Sequence, residues 1–334
     1  MSPGPGEAPE DARHSPAPRR KTGPANPFHR NKRDFLEKNI GKGWKGMNVL
    51  PDKRRMVRLL GVVAAALAVA VGWAVWRGGD GAEVAHAQLS CDDPPAPFDQ
   101  DDVLARVQRV WDRTDFCQHT VDYGEIISGG VPRDGIPPID DPVFESIEDA
   151  AGWLQDQSPV VAVEMDGLAR AYPLAILTRH EIVNDRFGGQ PVAVTFCPLC
   201  NSAVVFDRRV DGQALRFGVS GLLRHSDLIM WDDLTQSWWQ QLTGEGIVGT
   251  YAGTHLRLLP SQVVGFGQFV AQYPAGEVLS RRGRDYGSNP YQGYDSDADP
   301  FLFLGEPDDR LFPVERVLAA VIGGQPMAYP FPVL

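Results

Sequence analysis

A chain of 334 residues with 43% apolar residues and a formal charge of −11 can build one or two domains with a substantial core, which excludes disorder over its whole length. The charge is unevenly spread: residues 1–58 hold 14 Lys and Arg against 6 Asp and Glu, residues 59–76 hold no charge, and beyond Arg58 every Lys or Arg position is Arg in a strongly acidic remainder. An acidic main body lacks the clustered cations that contact a phosphate backbone, so nucleic acid is excluded as a partner.

In chain order, residues 1–55 are basic, rich in Pro and Gly and without lasting apolar periodicity, which predicts a disordered cytoplasmic tail. Residues 56–77 are expected to form a transmembrane helix. Their centre, LLGVVAAALAVAVGWAVW from Leu59 to Trp76, is uncharged and, at about 1.5 Å of rise per residue, nearly spans a hydrocarbon core of about 30 Å. Lys53, Arg54, Arg55 and Arg58 precede it and only Arg77 follows closely. The positive-inside rule then keeps the N-terminus cytoplasmic and exports the rest, making the membrane a partner through a single-pass anchor. Ala85-His86-Ala87 has the small-x-small form of a signal-peptidase site but lies well past the apolar run, so a retained anchor is expected. Residues 78–115 read as a Gly-, Asp- and Pro-rich linker with a short helix at Val103–Trp111.

Residues 116–334 read as one globular, extracytoplasmic α+β domain rich in β-structure. Strands are expected at Val160–Val163, Ala169–Tyr172, Val192–Phe196, Ala203–Asp207, Leu215–Val219 and Leu228–Trp231, with turns at Asp166-Gly167, Gly188-Gly189 and Asp211-Gly212. Helices are expected at Ile147–Asp156, Pro173–Asn184 and Ser261–Tyr273, the last with Ser261 as N-cap. The stretches VVAVEMDGLARAYPLAIL (160–177) and VLAAVIGGQPMAYPFPVL (317–334) align without a gap and agree at seven of eighteen positions, a pseudo-repeat of a strand-turn-strand unit.

The chemistry concentrates at Cys197-Pro-Leu-Cys200, set between two β-prone runs. Two thiolates on a tight turn suit a metal knuckle, but a closed zinc site needs about four ligands and no second Cys-x-x-Cys exists; His180, His225, His255 and Asp227 are candidates to complete it. A thiol-disulfide redox pair and a structural disulfide are the alternatives. Cys91 and Cys117 are expected to pair with each other. His180-Glu-Ile-Val-Asn184 lacks the second His of a zinc protease, and Gly218-Val-Ser-Gly221 is followed by Leu222 where a serine hydrolase elbow needs Gly. Asp295, Asp297, Asp299 and Glu306 follow calcium-loop spacing, but Pro300 stands where that loop needs Gly. Core packing is the first explanation for most of the Trp residues, but Trp238 and Trp239, beside Asp227 and Gln240, also form a candidate cleft for a small molecule or partner.

Ala171-Tyr-Pro, His180-Glu-Ile-Val-Asn-Asp185, Pro191 to Cys200, Phe217 to Arg224, Ser226-Asp227, Ser237-Trp-Trp-Gln240 and Tyr286 to Tyr294 together resemble domain of unknown function 3179, from about Val131 onward. The resemblance implies no established activity. Members usually carry Gly-Thr or similar after the second Cys, where this chain has Asn201-Ser202, and a polar residue such as Asn at the place of His225. His180 matches the family's histidine, which makes it the first choice to join Cys197 and Cys200 around zinc or copper. The expectation is therefore a membrane-anchored domain that binds a transition metal; a redox protein, and a ligand-binding module stapled by a disulfide, remain as alternatives.

Overall fold

A computed structural model describes residues 109–296, 300–323 and 325–334. The expected tail, anchor and most of the linker, with Cys91, fall outside these residues; among the described residues no helix is long and apolar enough to cross a membrane. Along the chain run β1 (Ile126–Ser128), β2 (Phe144–Ser146), α1 (Ile147–Ala151), β3 (Pro159–Met165), β4 (Leu168–Pro173), α2 (Leu174–His180), β5 (Ile182–Phe187), β6 (Gln190–Cys197) and β7 (Ser202–Asp207). After them come β8 (Arg209–Val210), β9 (Gln213–Ala214), β10 (Phe217–Arg224), β11 (Asp227–Asp232), β12 (Trp238–Gln240), β13 (Gly246–Val248), β14 (Arg257–Leu259), β15 (Gln262–Gly265), α3 (Phe266–Gln272), β16 (Glu277–Leu279), β17 (Val317–Ile322) and β18 (Gln325–Pro330). Strands far outnumber helices, so the domain is β-rich.

The sheets run β15-β3-β4-β16-β2, β14-β7-β6-β5 and β1-β10-β11-β12-β13, with two small hairpins, β8-β9 and β17-β18, beside them. The period-2 geometry of strands explains how the sheets stack. In β6, Val192, Val194 and Phe196 join Val161, Val163 and Tyr172 of the β3-β4 hairpin in one core, whereas Ala193 and Cys197 join Phe217, Val219, Leu228 and Met230 of β10 and β11 in another. The β5-β6-β7 sheet is thus buried on both faces, which is why β6 reads as a continuous apolar run. Beyond the β3-β4 sheet lie α1 and α3, packed through Ala150, Phe266 and Phe269; beyond β11 and β12 lie Trp111 and Phe116.

The two turns with an Asp-Gly pair form as their residues dictate. Asp166 and Gly167 take φ of 53° and 81°, and Asp211 and Gly212 take 50° and 77°, the left-handed pair that a two-residue hairpin turn requires. Five of the six expected strands lie within observed ones; Leu215, at the sixth, precedes β10.

The helices are shorter than expected. α1 starts where Ser146 Oγ accepts the Asp149 N–H at 3.1 Å but ends at Ala151. The expected helix from Pro173 to Asn184 stops at His180, because Glu181 turns to φ 59° and the β-branched Ile182 and Val183 enter β5. Ser261 is not an N-cap: Val263 and Val264 extend as β15, and α3 begins after Gly265, whose N–H donates to Gln268 Oε1 at 3.1 Å. β17 and β18 pair from Val317↔Pro330 to Ile322↔Gln325, and β3 and β4 pair from Val160↔Pro173 to Met165↔Leu168.

Candidate metal centre

Two hairpin tips from different sheets meet at the Cys motif. The β6-β7 hairpin closes on the pair Cys197↔Ser202, leaving Pro198 to Asn201 as its turn. Pro198 fixes its own φ after the first Cys, and Asn201 sits at φ 49°, a left-handed position that Gly or Asn fills most readily. This is the place where the resembling family has Gly, so Asn201 keeps the turn geometry. The β10-β11 hairpin closes on Arg224↔Asp227, with His225 and Ser226 at φ 51° and 61°.

Cys197 Sγ, buried at 1% exposure, donates to Ser226 O at 3.5 Å. Cys200 reaches the surface, and its Sγ donates to Asp227 Oδ1 at 3.2 Å and contacts Ser202 Oγ at 3.0 Å. Cys197, Cys200 and Asp227 each present a potential ligand atom within 4.8 Å of the others, and this is the one such group among the described residues. Both cysteines are free thiols; Cys117 is disulfide-bonded, and its expected partner Cys91 lies outside the described residues.

Asp227 is held from behind. Its Oδ2 accepts hydrogen bonds from Gln240 Nε2 and from the Leu242 N–H, the latter at 3.0 Å. Gln241 braces the other hairpin, donating to Thr195 Oγ1 at 2.8 Å and accepting from Ser202 Oγ at 2.8 Å. Such supporting bonds fix the direction in which a ligand presents its atom.

Burial favours the neutral forms of the acidic groups around the site. Burial raises the Asp227 carboxyl, with Gln240 and the Leu242 N–H partly opposing it. Burial also raises the Cys197 thiol, and the neighbouring Cys200 and Asp227 add to that. Glu181, at 7% exposure, is pushed up to about 8, first by burial and then by the charge of Asp227. Burial raises the Tyr291 phenol, and the charges of Glu181 and Cys197 add to that.

Of the residues expected from sequence, Cys197, Cys200, Asp227 and Gln240 come together. His180 does not join them: its Nδ1 lies 2.8 Å from Pro137 O and its Nε2 3.2 Å from Tyr286 OH, so both ring nitrogens are engaged away from the sulfurs. Burial lowers its pKa, as suits a neutral ring in such a bridge. His225 and His255 are also outside the group. Trp238 and Trp239 line no cleft with Asp227. Both are fully buried, Trp238 edge-on against Trp111 and Phe116, and Trp239 against Phe217 while its Nε1 donates to Asp232 at 2.9 Å. Asp297 and Asp299 of the calcium-like loop lie outside the described residues, and Asp295 pairs with Arg316.

The burial of Glu181 escaped the sequence reading: the residue stood within a stretch singled out there, but no spacing encodes that its side chain is enclosed. No curated protein and no solved structure matches this chain. Residues 133–334 match the family described as "Protein of unknown function (DUF3179)", and with more than half of its length so matched the chain belongs to that family.

Proposed function

We propose that this domain binds zinc through Cys197, Cys200 and Asp227. The observation that supports it most is the meeting of two free thiols and one buried carboxylate within 4.8 Å, with no ion pair to Asp227 among the described residues. A bound divalent cation would draw the protons from the thiols and offset the buried negative charge. The donor set favours zinc over copper in its monovalent state, because the carboxylate is a hard ligand where that ion prefers sulfur alone. Three protein ligands leave a fourth position open, the arrangement of a catalytic rather than a closed structural zinc site.

The thiol-disulfide alternative fits the site less well. A nucleophilic Cys is one whose thiolate is favoured, yet burial, Cys200 and Asp227 all push the Cys197 thiol the other way.

Elemental analysis of the purified full-length protein tests the reading. Close to one zinc per chain is expected, lost in Cys197→Ser and in Asp227→Asn; a wild-type protein without zinc, or variants with undiminished zinc, would refute it. Gln240→Ala is expected to weaken zinc binding by roughly 10–100-fold, because it frees the carboxylate that it orients. The proposal keeps the anchor at Leu59–Trp76, with the domain outside the cell membrane; protease treatment of intact spheroplasts should digest the domain and spare the tail. It also treats β17-β18 as a second copy of the β3-β4 unit, supported by the shared register of their six pairs.

A further inference from the structure

We propose that the β17-β18 hairpin is a self-association surface, in which the outer edge of β17 pairs antiparallel with β17 of a second copy of this chain across a two-fold axis at Ala319. The inference is independent of the zinc reading and uses only the alignment of this hairpin with β3-β4.

The two hairpins share a register but not a setting. The pairs from Val160↔Pro173 to Met165↔Leu168 correspond position by position to those from Val317↔Pro330 to Ile322↔Gln325. In the first hairpin β15 lies antiparallel along β3 and β16 lies parallel along β4, whereas among the described residues β17 and β18 pair only with each other. Val161 is fully buried and Met165 partly so; their counterparts Leu318 and Ile322 are 52% and 57% exposed. An isolated two-stranded hairpin is marginal in water, and an open apolar edge is a template for another strand.

Backbone geometry selects the edge. A two-residue turn closes on a hydrogen-bonded pair, here Ile322↔Gln325, and the pairs alternate from there. Val317, Ala319 and Val321 of β17, and Pro326, Ala328 and Pro330 of β18, therefore turn their backbone polar groups outward. Pro has no N–H, so the β18 edge lacks two of its three outward donors. The β17 edge keeps all three and carries no charge, Pro or bulge to guard it. In the related hairpin, β15 takes this same edge of β3, opposite Val160 and Ala162, which correspond to Val317 and Ala319.

Symmetry and charge name the occupant. A two-fold axis normal to the sheet sets identical strands antiparallel, the direction in which β15 meets β3. With the axis at Ala319, each Ala319 faces its counterpart and each Val317 faces Val321 of the copy. The result is one four-stranded sheet, with Leu318 and Ile322 of both copies on one face. Two copies of an acidic domain repel over most of their surface, but residues 317–334 contain no charged residue, so the hairpin is where they can meet.

Light scattering on the full-length protein in a non-ionic detergent, over a concentration series, tests this. The wild type is expected to dimerise, and Ala319→Pro to weaken association by roughly 30-fold or more, the equivalent of two backbone hydrogen bonds. Ala328→Pro, on the edge that no copy uses, should leave the dimer intact. As a second measurement, Ala319→Cys should cross-link between copies on oxidation beyond the wild-type background, because antiparallel counterparts lie about 5.5 Å apart, within disulfide reach. Ala328→Cys should not. A monomeric wild type, a dimer undiminished by Ala319→Pro, or equal cross-linking through Ala328→Cys and Ala319→Cys would each overturn the proposal. So would a monomer whose Val317, Ala319 and Val321 amides exchange slowly with solvent, which would assign the edge to another segment of the same chain.

Discussion

Among the buried acids of this domain, those at two places are held in contrasting ways. At the β4-β5 side, Asp185 is 5% exposed and fully answered: Arg170 NH1 donates to it at 2.9 Å, Tyr172 OH donates to it as well, and the same guanidinium reaches Glu277 at 3.1 Å and stacks over Phe144. At the meeting of the β6-β7 and β10-β11 tips, Asp227 is just as buried, as is Glu181 at the end of α2, but side-chain hydrogen bonds support only the first, and among the described residues neither forms an ion pair. A counter-ion is one way to hold a buried acid and neutral donors are another: Asp232, at 0% exposure, is held by the Leu234 and Thr235 N–H groups, Thr235 Oγ1 and Trp239 Nε1. On the proposed zinc reading, the metal would supply the positive charge beside the two thiols.

The largest effect should come from making the second place more like a neutral core. Cys197→Ser or Asp227→Asn removes a ligand outright, and zinc affinity measured by chelator competition should fall by well over the roughly 100-fold that losing a supporting bond costs. Next, Arg170→Ala makes the first place resemble the second by stranding Asp185. Breaking a buried pair in this way costs about 3–5 kcal/mol, so the urea midpoint of the metal-free protein should drop markedly. Arg170→Ala combined with Asp185→Asn should recover much of that loss.

The third test uses pH. Glu181 has a folded pKa of about 8 against an ordinary value of 4.5, raised by burial and then by Asp227. The folded state therefore holds its proton more tightly than the unfolded state. Stability from this group is fully present below about pH 4.5 and is lost as pH rises toward and through 8. The metal-free protein should lose up to about 5 kcal/mol over that window. Glu181→Gln should flatten the slope.

Much of this comparison was legible in the sequence, and the rest was hidden for physical reasons. Strands with period-2 apolar patterns and Asp-Gly turns could be read directly, because both signals are local. The ends of α2 and α3 could not, since Glu181 and Gly265 change direction in response to the sheets they meet. Cys197 and Cys200 declared themselves by spacing, and Asp227 stood among several candidates. His180 drew attention as a ligand type matching its family, but its nitrogens serve Pro137 and Tyr286. Choosing among His180, His225, His255 and Asp227 requires knowing that β10-β11 folds over the Cys turn, a contact about thirty residues away along the chain. Trp238 and Trp239 are fully buried, as the core-packing reading of their rings expected.

The smallest effect concerns the turn that presents the sulfurs. Asn201 is exposed and holds φ 49° between Cys200 and β7, and nothing in its surroundings demands its side chain. Asn201→Gly should be neutral within a few tenths of a kcal/mol, because Gly enters the left-handed region freely. Asn201→Ala should cost about 1 kcal/mol, the penalty of placing Cβ in that region. The same pair of substitutions at Asp166, which has φ 53° in the remote β3-β4 turn, provides the control. Equal stability losses are expected at the two turns, with a fall in zinc affinity only for Asn201→Ala, since only that turn sets the separation of Cys197 and Cys200. A fall in zinc affinity from both turns would mean that the substitutions act through global stability, and the local role of the Cys turn would then be lost.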